Sequence, residues 1–248
     1  MGGCFGRRRG RNRVGGLMSA LPSGCPAWNY DDVPGYRGVL RVRHATLLEN
    51  MRQQKVNARE AGADCRPVHR DFFGDLAPTI CKYYAGNYRG SAFHCLRNYP
   101  VTVDADRRVG AAPGEVPSSM ARLGLRIIKA ISRLDASRSP SAWPKTEEQR
   151  LGDLVEVVSM VFQQFLTVHP FVDGNGHMGR FLVSLLLQRY GYATTPEHWR
   201  IDPNPRIPHY SEAISAHRDG NTEPLQMMIL AAVIRPSPTP IDDPEAVN

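Results

Sequence analysis

Three observations predict a mainly α-helical domain. Leu154 to Val168 carries Val155, Val157, Val158, Met160, Val161, Phe162, Phe165 and Leu166, so apolar residues fall on most sides of a 3.6-residue wheel, as in a buried helix. Phe181 to Tyr190 is similarly apolar, through Leu182, Val183, Leu185, Leu186 and Leu187. Met120 to Leu134, with Leu123, Leu125, Ile127, Ile128, Ala130 and Ile131, reads as a third helix. Pro170 cannot continue the first of these, and Gly174 and Gly176 loosen the chain again. Residues 169–180 therefore form a loop that ends one buried helix and opens the next.

The remaining stretches fit around that core. Val103 to Ser119 and Ala136 to Thr146 contain Pro, Gly or Ser and read as connectors. A chain of 248 residues with 42% hydrophobic content suits one domain with tails. No apolar run approaches the roughly 20 residues of a membrane span. The net charge is +7, but Arg7, Arg8, Arg9, Arg11 and Arg13 contribute five of those charges and leave +2 for the rest. The body is thus not a basic surface, which argues against specific nucleic-acid binding. The predicted division is a Gly- and Arg-rich disordered tail over 1–40, a domain over 41–235 and a frayed, Pro- and Asp-rich end over 236–248.

The tail is too polar for a secretory signal. Met1-Gly2-Gly3-Cys4 is similar to a lipidated start, but Gly6 stands where Ser or Thr is wanted. A nonspecific RNA- or membrane-binding tail, a secretion-related segment and an upstream start-codon choice are further readings. Cys4, Cys25, Cys65, Cys81 and Cys95 include no Cys-x-x-Cys pair, and their number is odd. Reduced thiols in a cytoplasmic protein are the simplest expectation, with delivery into another cell left open.

The chemistry concentrates in His169-Pro170-Phe171-Val172-Asp173-Gly174-Asn175-Gly176-His177-Met178-Gly179-Arg180. A helix start presents free N–H groups and a positive dipole end, and flanking glycines let the backbone approach an anion. Arg180, about one turn in, offers a fork for a terminal phosphate. Asp173 is a hard oxygen ligand suited to a magnesium ion whose other ligands are phosphate and water. His169, at the start of the stretch, has a side chain that ordinarily titrates near neutrality, hence a general base. The plain alternatives are a structural His at a helix end and an ordinary turn. A zinc site of His169, Asp173 and His177, spaced four apart, would need one continuous helix, which Pro170, Gly174 and Gly176 break.

These twelve residues resemble the signature of the Fic (Fido) family, H-P-F-x-[DE]-G-N-G-R-x-x-R, matching every specified position but one: His177 replaces the first arginine. The resemblance extends to Val68-His69-Arg70-Asp71-Phe72-Phe73-Gly74-Asp75, then Tyr84-Ala85-Gly86-Asn87-Tyr88-Arg89, like the family's early helix and "AG-x-x-R" turn. Leu96 to Val103 falls where the family places a flap hairpin. Tyr210-Ser211-Glu212-Ala213-Ile214, Asp219-Gly220-Asn221 and Pro224-Leu225 look like its last core helices. The likeness spans roughly 45–233 and implies a Fic-type helical bundle with a small β-hairpin flap.

It also implies an activity: magnesium-dependent transfer of AMP from ATP to a Ser, Thr or Tyr hydroxyl of a target protein. Carried over by residue, His169 would deprotonate the hydroxyl and Asp173 would hold the magnesium. Gly174, Asn175 and Gly176 would form the anion hole, Arg180 would bind the γ-phosphate, and Phe171 would be structural. Tyr210 and His217 would line the adenine pocket. Arg97, Asn98, Tyr99, Pro100 and Val101 would align the target by strand addition. His177 removes one fixed positive charge from the phosphate site, whereas Gly176 favours AMP transfer over phosphorylation, because kinase-type members carry a bulky basic residue there.

Many members are inhibited by a helix reading [ST]-x-x-x-E-[GN], whose glutamate pairs with the second motif arginine. Ala45-Thr46-Leu47-Leu48-Glu49-Asn50 fits at Glu49 and Asn50 but not at Ala45, and so places an inhibitory helix within 41–55. Ser215 to Gly220 approaches the pattern with Asp219 for Glu, but coincides with a core helix. Alternatives to AMP transfer are use of another phosphate-containing donor, removal of AMP with Glu49 positioning a water, or a catalytically weak nucleotide-binding module. A homo-oligomer or an antitoxin partner is left open.

Overall fold

The computed structural model describes residues 21–101, 103, 106, 108–195, 199 and 210–234. Nine α-helices run through the described residues: α1 (Tyr36–Arg52), α2 (Ala58–Ala63), α3 (Arg66–Phe73), α4 (His94–Arg97), α5 (Val116–Ala136), α6 (Glu147–Val168), α7 (Asn175–Arg189), α8 (Tyr210–Arg218) and α9 (Glu223–Ala232). Two short strands, β1 (Ala193–Thr194) and β2 (Val233–Ile234), pair antiparallel.

The three expected helices are α5, α6 and α7. Helix α5 buries Val116, Met120, Leu123, Ile127, Ile131 and Leu134, a single stripe at three- and four-residue spacing. Helix α6 opens on a capping box, in which the Thr146 hydroxyl and the Gln149 side chain each accept the other's backbone N–H. It then packs against α5, α7, α8 and α9. Leu154, Val158, Val161, Phe162 and Phe165 are fully enclosed. By length and composition alone α6 could cross a membrane, but here it is the central helix of the bundle. Helix α7 is buried on nearly every side from Asn175 to Leu187.

Because α6 ends inside the molecule, its last carbonyls need buried donors. Arg89, with no exposed surface, supplies several. Its Nε donates to the His169 carbonyl (2.9 Å), Nη1 to that of Tyr99 (3.1 Å), and Nη2 to those of Ala111 (3.1 Å), Val168 (3.1 Å) and His169 (2.7 Å). The Arg89 N–H donates to the Pro170 carbonyl (2.8 Å). The amides of Gly110 and Ala111 reach the carbonyls of Thr167 (2.9 Å) and Val168 (3.1 Å). Burial lowers the Arg89 pKa to about 10, so it stays cationic at neutral pH, at the negative end of the α6 dipole.

Three expectations need correction. The stretch 97–101 does not form paired strands among the described residues. Arg97 closes α4, Asn98 caps it, and Tyr99 is buried with its carbonyl committed to Arg89. Thr102 lies outside the described residues. The 1–40 tail is ordered from residue 21. Trp28 is buried and donates its indole N–H to the Leu76 carbonyl (2.9 Å), because an aromatic body and a donor find both partners there. Residues 1–20 and 235–248 lie outside the described residues. Finally, the thiols are not all reduced. Cys25 and Cys95, 70 residues apart, form a disulfide, while Cys65 and Cys81 are free and buried. Cys4 lies outside the described residues.

Replacing Arg89 by Met should leave several buried carbonyls without donors and lower stability by at least about 3 kcal/mol. Urea unfolding read by circular dichroism checks this; a loss below about 1 kcal/mol, the ordinary net contribution of one hydrogen bond, would contradict the role given to Arg89.

Candidate active site

His169 caps α6 in the left-handed region, φ 51° and ψ 62°. Only the collar of donors around its carbonyl makes that conformation tolerable for a non-glycine residue. Its Nδ1 lies 3.1 Å from the Leu166 carbonyl. A carbonyl only accepts, so Nδ1 carries the proton and Nε2 keeps a lone pair. Burial lowers the His169 pKa to about 4, with Arg89 adding to the effect. The imidazole is therefore a neutral acceptor over the whole physiological range.

Asp173 sits four residues on. Its Oδ1 accepts the Gly174 N–H (2.7 Å) and its Oδ2 the Tyr30 N–H (3.0 Å). Burial raises its pKa to about 6, against these two hydrogen bonds, and Asp31 and Asp32 push it further up. The loop carrying it is pinned from behind by His69. The Gly86 N–H donates to His69 Nδ1 (2.9 Å), so Nε2 bears the proton and donates to the Asp173 carbonyl (3.0 Å). The His69 ring stacks on Phe171 at 3.7 Å and 12°, and burial lowers its pKa to about 3. Phe171 points into the core, as expected.

Helix α7 begins at Asn175, with Gly174 as N-cap at φ 76°. A Cβ on Gly174 would stand 2.5 Å from the Phe73 ring, so both torsion and space require glycine. The Asn175 side chain is used internally: Oδ1 accepts the Phe171 N–H (2.8 Å) and Nδ2 donates to the Phe171 carbonyl (2.9 Å). Anion binding by residues 174–176 would therefore use first-turn amides, not the Asn175 carboxamide. A Cβ on Gly176 would lie 3.1 Å from Arg180 Nη1, so the glycine leaves the guanidinium room. Arg180 is buried (1% exposed).

Tyr210 approaches the Arg180 guanidinium, which opposes the upward push of burial on its pKa, and packs with Phe162 and Trp199. The Trp199 indole N–H donates to the Arg180 carbonyl (3.3 Å). His217 lies two turns further along α8, its pKa lowered by desolvation and its buried Nδ1 without a hydrogen-bond partner among the described residues.

His177, which stands where the motif has an arginine, lies in the first turn of α7. It is buried, edge-on to Tyr30 (5.3 Å) and Phe73 (5.6 Å), with Nδ1 3.5 Å from the Tyr30 hydroxyl. Burial, then Arg180, holds its pKa well below the ordinary range, so it is neutral. Glu49 lies near the end of α1. Its carboxylate is exposed and accepts from Arg52 (3.4 Å) and Gln53 (2.5 Å) on its own helix. Helix α1 turns Leu47 and Met51 inward, and the ion pair of Glu49 among the described residues is with Arg52. Sequence reasoning missed Tyr30, which no local pattern marked, and Trp199. It quoted His69 and Arg89 without giving them a role.

A helical bundle whose central helix ends on a neutral histidine, and whose next helix opens on a glycine-flanked turn beside a buried arginine, has the architecture of the Fic fold. The Fic/DOC family matches residues 43–187, more than half of the chain, and the protein belongs to that family. A Fido domain-containing protein of Dictyostelium discoideum is 47% identical over 36 residues, 14% of this chain and 25% of that relative, so the match spans a quarter of the relative's length. The crystal structure of BepC, a VirB-translocated effector of Bartonella tribocorum, with bound AMPPNP, shares the fold at a TM-score of 0.54 and 16% identity, covering 88% of this chain and 96% of that one.

The two histidines behind the loop set a pH dependence. Their folded pKa values, about 3 for His69 and about 4 for His169, lie below the ordinary 6.5. The unfolded chain therefore binds more protons in between, and this stability is complete above the ordinary value and lost as pH falls through the folded ones. Urea midpoints should decline below the ordinary pKa, and the decline should be shallower in His169→Gln. An equal slope in both proteins would show that His169 is not held neutral by the fold.

Proposed function

We propose that this protein is a magnesium-dependent transferase that moves AMP from ATP to a hydroxyl side chain of another protein. Family membership and the likeness to an AMPPNP-bound Fic structure support a nucleotide as donor. The observation that carries the reading is the tautomer of His169: Nδ1–H is committed to Leu166, leaving Nε2 as the acceptor.

In this reading His169 Nε2 takes the hydroxyl proton as the oxygen attacks the α-phosphorus, and pyrophosphate leaves. Little covalent help is needed beyond positioning and charge neutralisation. Asp173 suits a magnesium ion because its carboxylate is buried beside Asp31 and Asp32, so a cation would relieve the repulsion that raises its pKa. When bound, that ion would neutralise phosphate charge. The amides opening α7 and the Arg180 guanidinium would receive phosphate oxygens, with Tyr210 and His217 towards the base. Arg97 and Asn98, both exposed, with Pro100 and Val101, would meet the target. Gly176 keeps the Arg180 fork clear, which favours AMP transfer over phosphorylation. The neutrality of His177 favours one alternative, a nucleotide-binding module with weak turnover.

Incubation with ATP labelled at the α-phosphate and magnesium separates these readings. Label should appear on protein, and His169→Ala should reduce it by about 100- to 10,000-fold, the usual range for a general base, with ATP binding retained. Binding without transfer in the unmodified protein would establish the alternative. Glu49→Gly should leave the rate within about twofold, as for a surface substitution; a large activation would restore Glu49 as an inhibitor.

A further inference from the structure

We propose that Cys25, Cys81 and Cys95 form a thiol–disulfide exchange site, and that the Cys25–Cys95 bond is a clasp holding segment 25–33 across Asp173. Two observations meet here. The first is sulfur placement. Cys95 lies on α4 and is bonded to Cys25 of the N-terminal segment. The free Cys81 is buried with its Sγ 3.9 Å from Cys95 Sγ, a contact distance for attack on that sulfur. A ring nitrogen of the exposed His94 lies within 4.8 Å of both bonded sulfurs.

The second observation is where the clasped segment goes. From Cys25 it passes Pro26, whose carbonyl accepts the Tyr84 hydroxyl (3.1 Å), and Trp28, which is tied to Leu76. It then delivers the Tyr30 N–H to Asp173 Oδ2 and the Tyr30 ring against His177 and Phe73. That N–H occupies one lone pair of the carboxylate proposed to bind the cation. Fastening one end of the segment covalently raises the effective concentration of Tyr30 at Asp173.

The exchange balances without an outside oxidant. Cys81 gives up its proton, and its thiolate sulfur bonds to Cys95 Sγ. The Cys25–Cys95 bond breaks, and Cys25 leaves as a thiolate that takes up a proton, for which His94 is placed as carrier. One disulfide and one thiol remain, and segment 25–33 is released from its anchor. An added dithiol opens the clasp by reducing it and becomes a disulfide itself. The effect on catalysis rests on the reading of Asp173 as metal ligand; the exchange chemistry does not.

The test uses the full chain without nucleotide, so it stands whether or not the protein transfers AMP. Thiols are trapped with N-ethylmaleimide, disulfides are mapped by peptide mass spectrometry, and amide exchange is followed at Tyr30. The air-equilibrated protein should show Cys25 linked to Cys95 and Cys81 trapped. Cys25→Ser should link Cys81 to Cys95 instead. Tyr30 exchange should quicken, because the lost tether lowers its effective concentration at Asp173, after dithiothreitol treatment of the unmodified protein, which needs no variant to fold. A free Cys25 in the air-equilibrated protein, free Cys81 and Cys95 in Cys25→Ser, or equal Tyr30 exchange in both redox states would each overturn the proposal.

Discussion

The buried C-terminus of α6 is the constraint on which the rest of this molecule depends. A helix that ends in the interior leaves carbonyls that water cannot reach. Here each is matched. The Phe165 carbonyl accepts the His169 N–H, that of Leu166 faces His169 Nδ1, and those of Thr167 and Val168 accept the amides of Gly110 and Ala111. Arg89 covers Val168 and His169. One set of donors thus joins the turn after α3, the 99–111 loop and the loop between α6 and α7. The same bonds that stabilise the helix end hold His169 in its left-handed conformation and choose its tautomer.

The loop is backed by aromatic and histidine rings instead of by further charge. His69 lies flat on Phe171, beside Phe73 and edge-on to Trp28. Phe73 in turn closes over Gly174 and His177. Within this apolar wall the neutral form of each imidazole is favoured, because burial penalises the charged one. His69, His169 and His177 are all displaced in that direction. The site therefore keeps its fixed positive charge on Arg89 and Arg180 and its negative charge on Asp173, and the histidines are neutral hydrogen-bonding groups.

Net charge is uninformative about this arrangement. Five of the seven excess charges lie in the first thirteen residues. The groups that shape the site are single buried ions whose neighbours, not their number, set their behaviour. Asp106, by contrast, is a half-buried carboxylate held down to about 2 by Arg108. It also receives Arg218 from the end of α8 (2.5 Å), and so ties the outer turn of the 99–111 loop to the last helices.

Helices α5, α6 and α7 were legible in the sequence because apolar period and Pro–Gly punctuation are local properties. The loop itself was legible because its titratable, carboxylate and guanidinium groups lie in twelve consecutive residues, which a sequence shows without knowledge of the fold. The roles of Glu49, Cys25 and Tyr30 were not. Which way Glu49 points depends on the rotation of α1 set by Leu47 and Met51 against the core. The Cys25–Cys95 bond spans 70 residues and the Tyr30–Asp173 hydrogen bond 143, and no short-range pattern encodes either. Sequence alone determined the helical class and the residue types of the 169–180 loop, since these follow from local torsions and side-chain chemistry. Only the tertiary structure decided which histidine is neutral, what seals Asp173 and which sulfurs meet, because burial and proximity arise when distant segments pack.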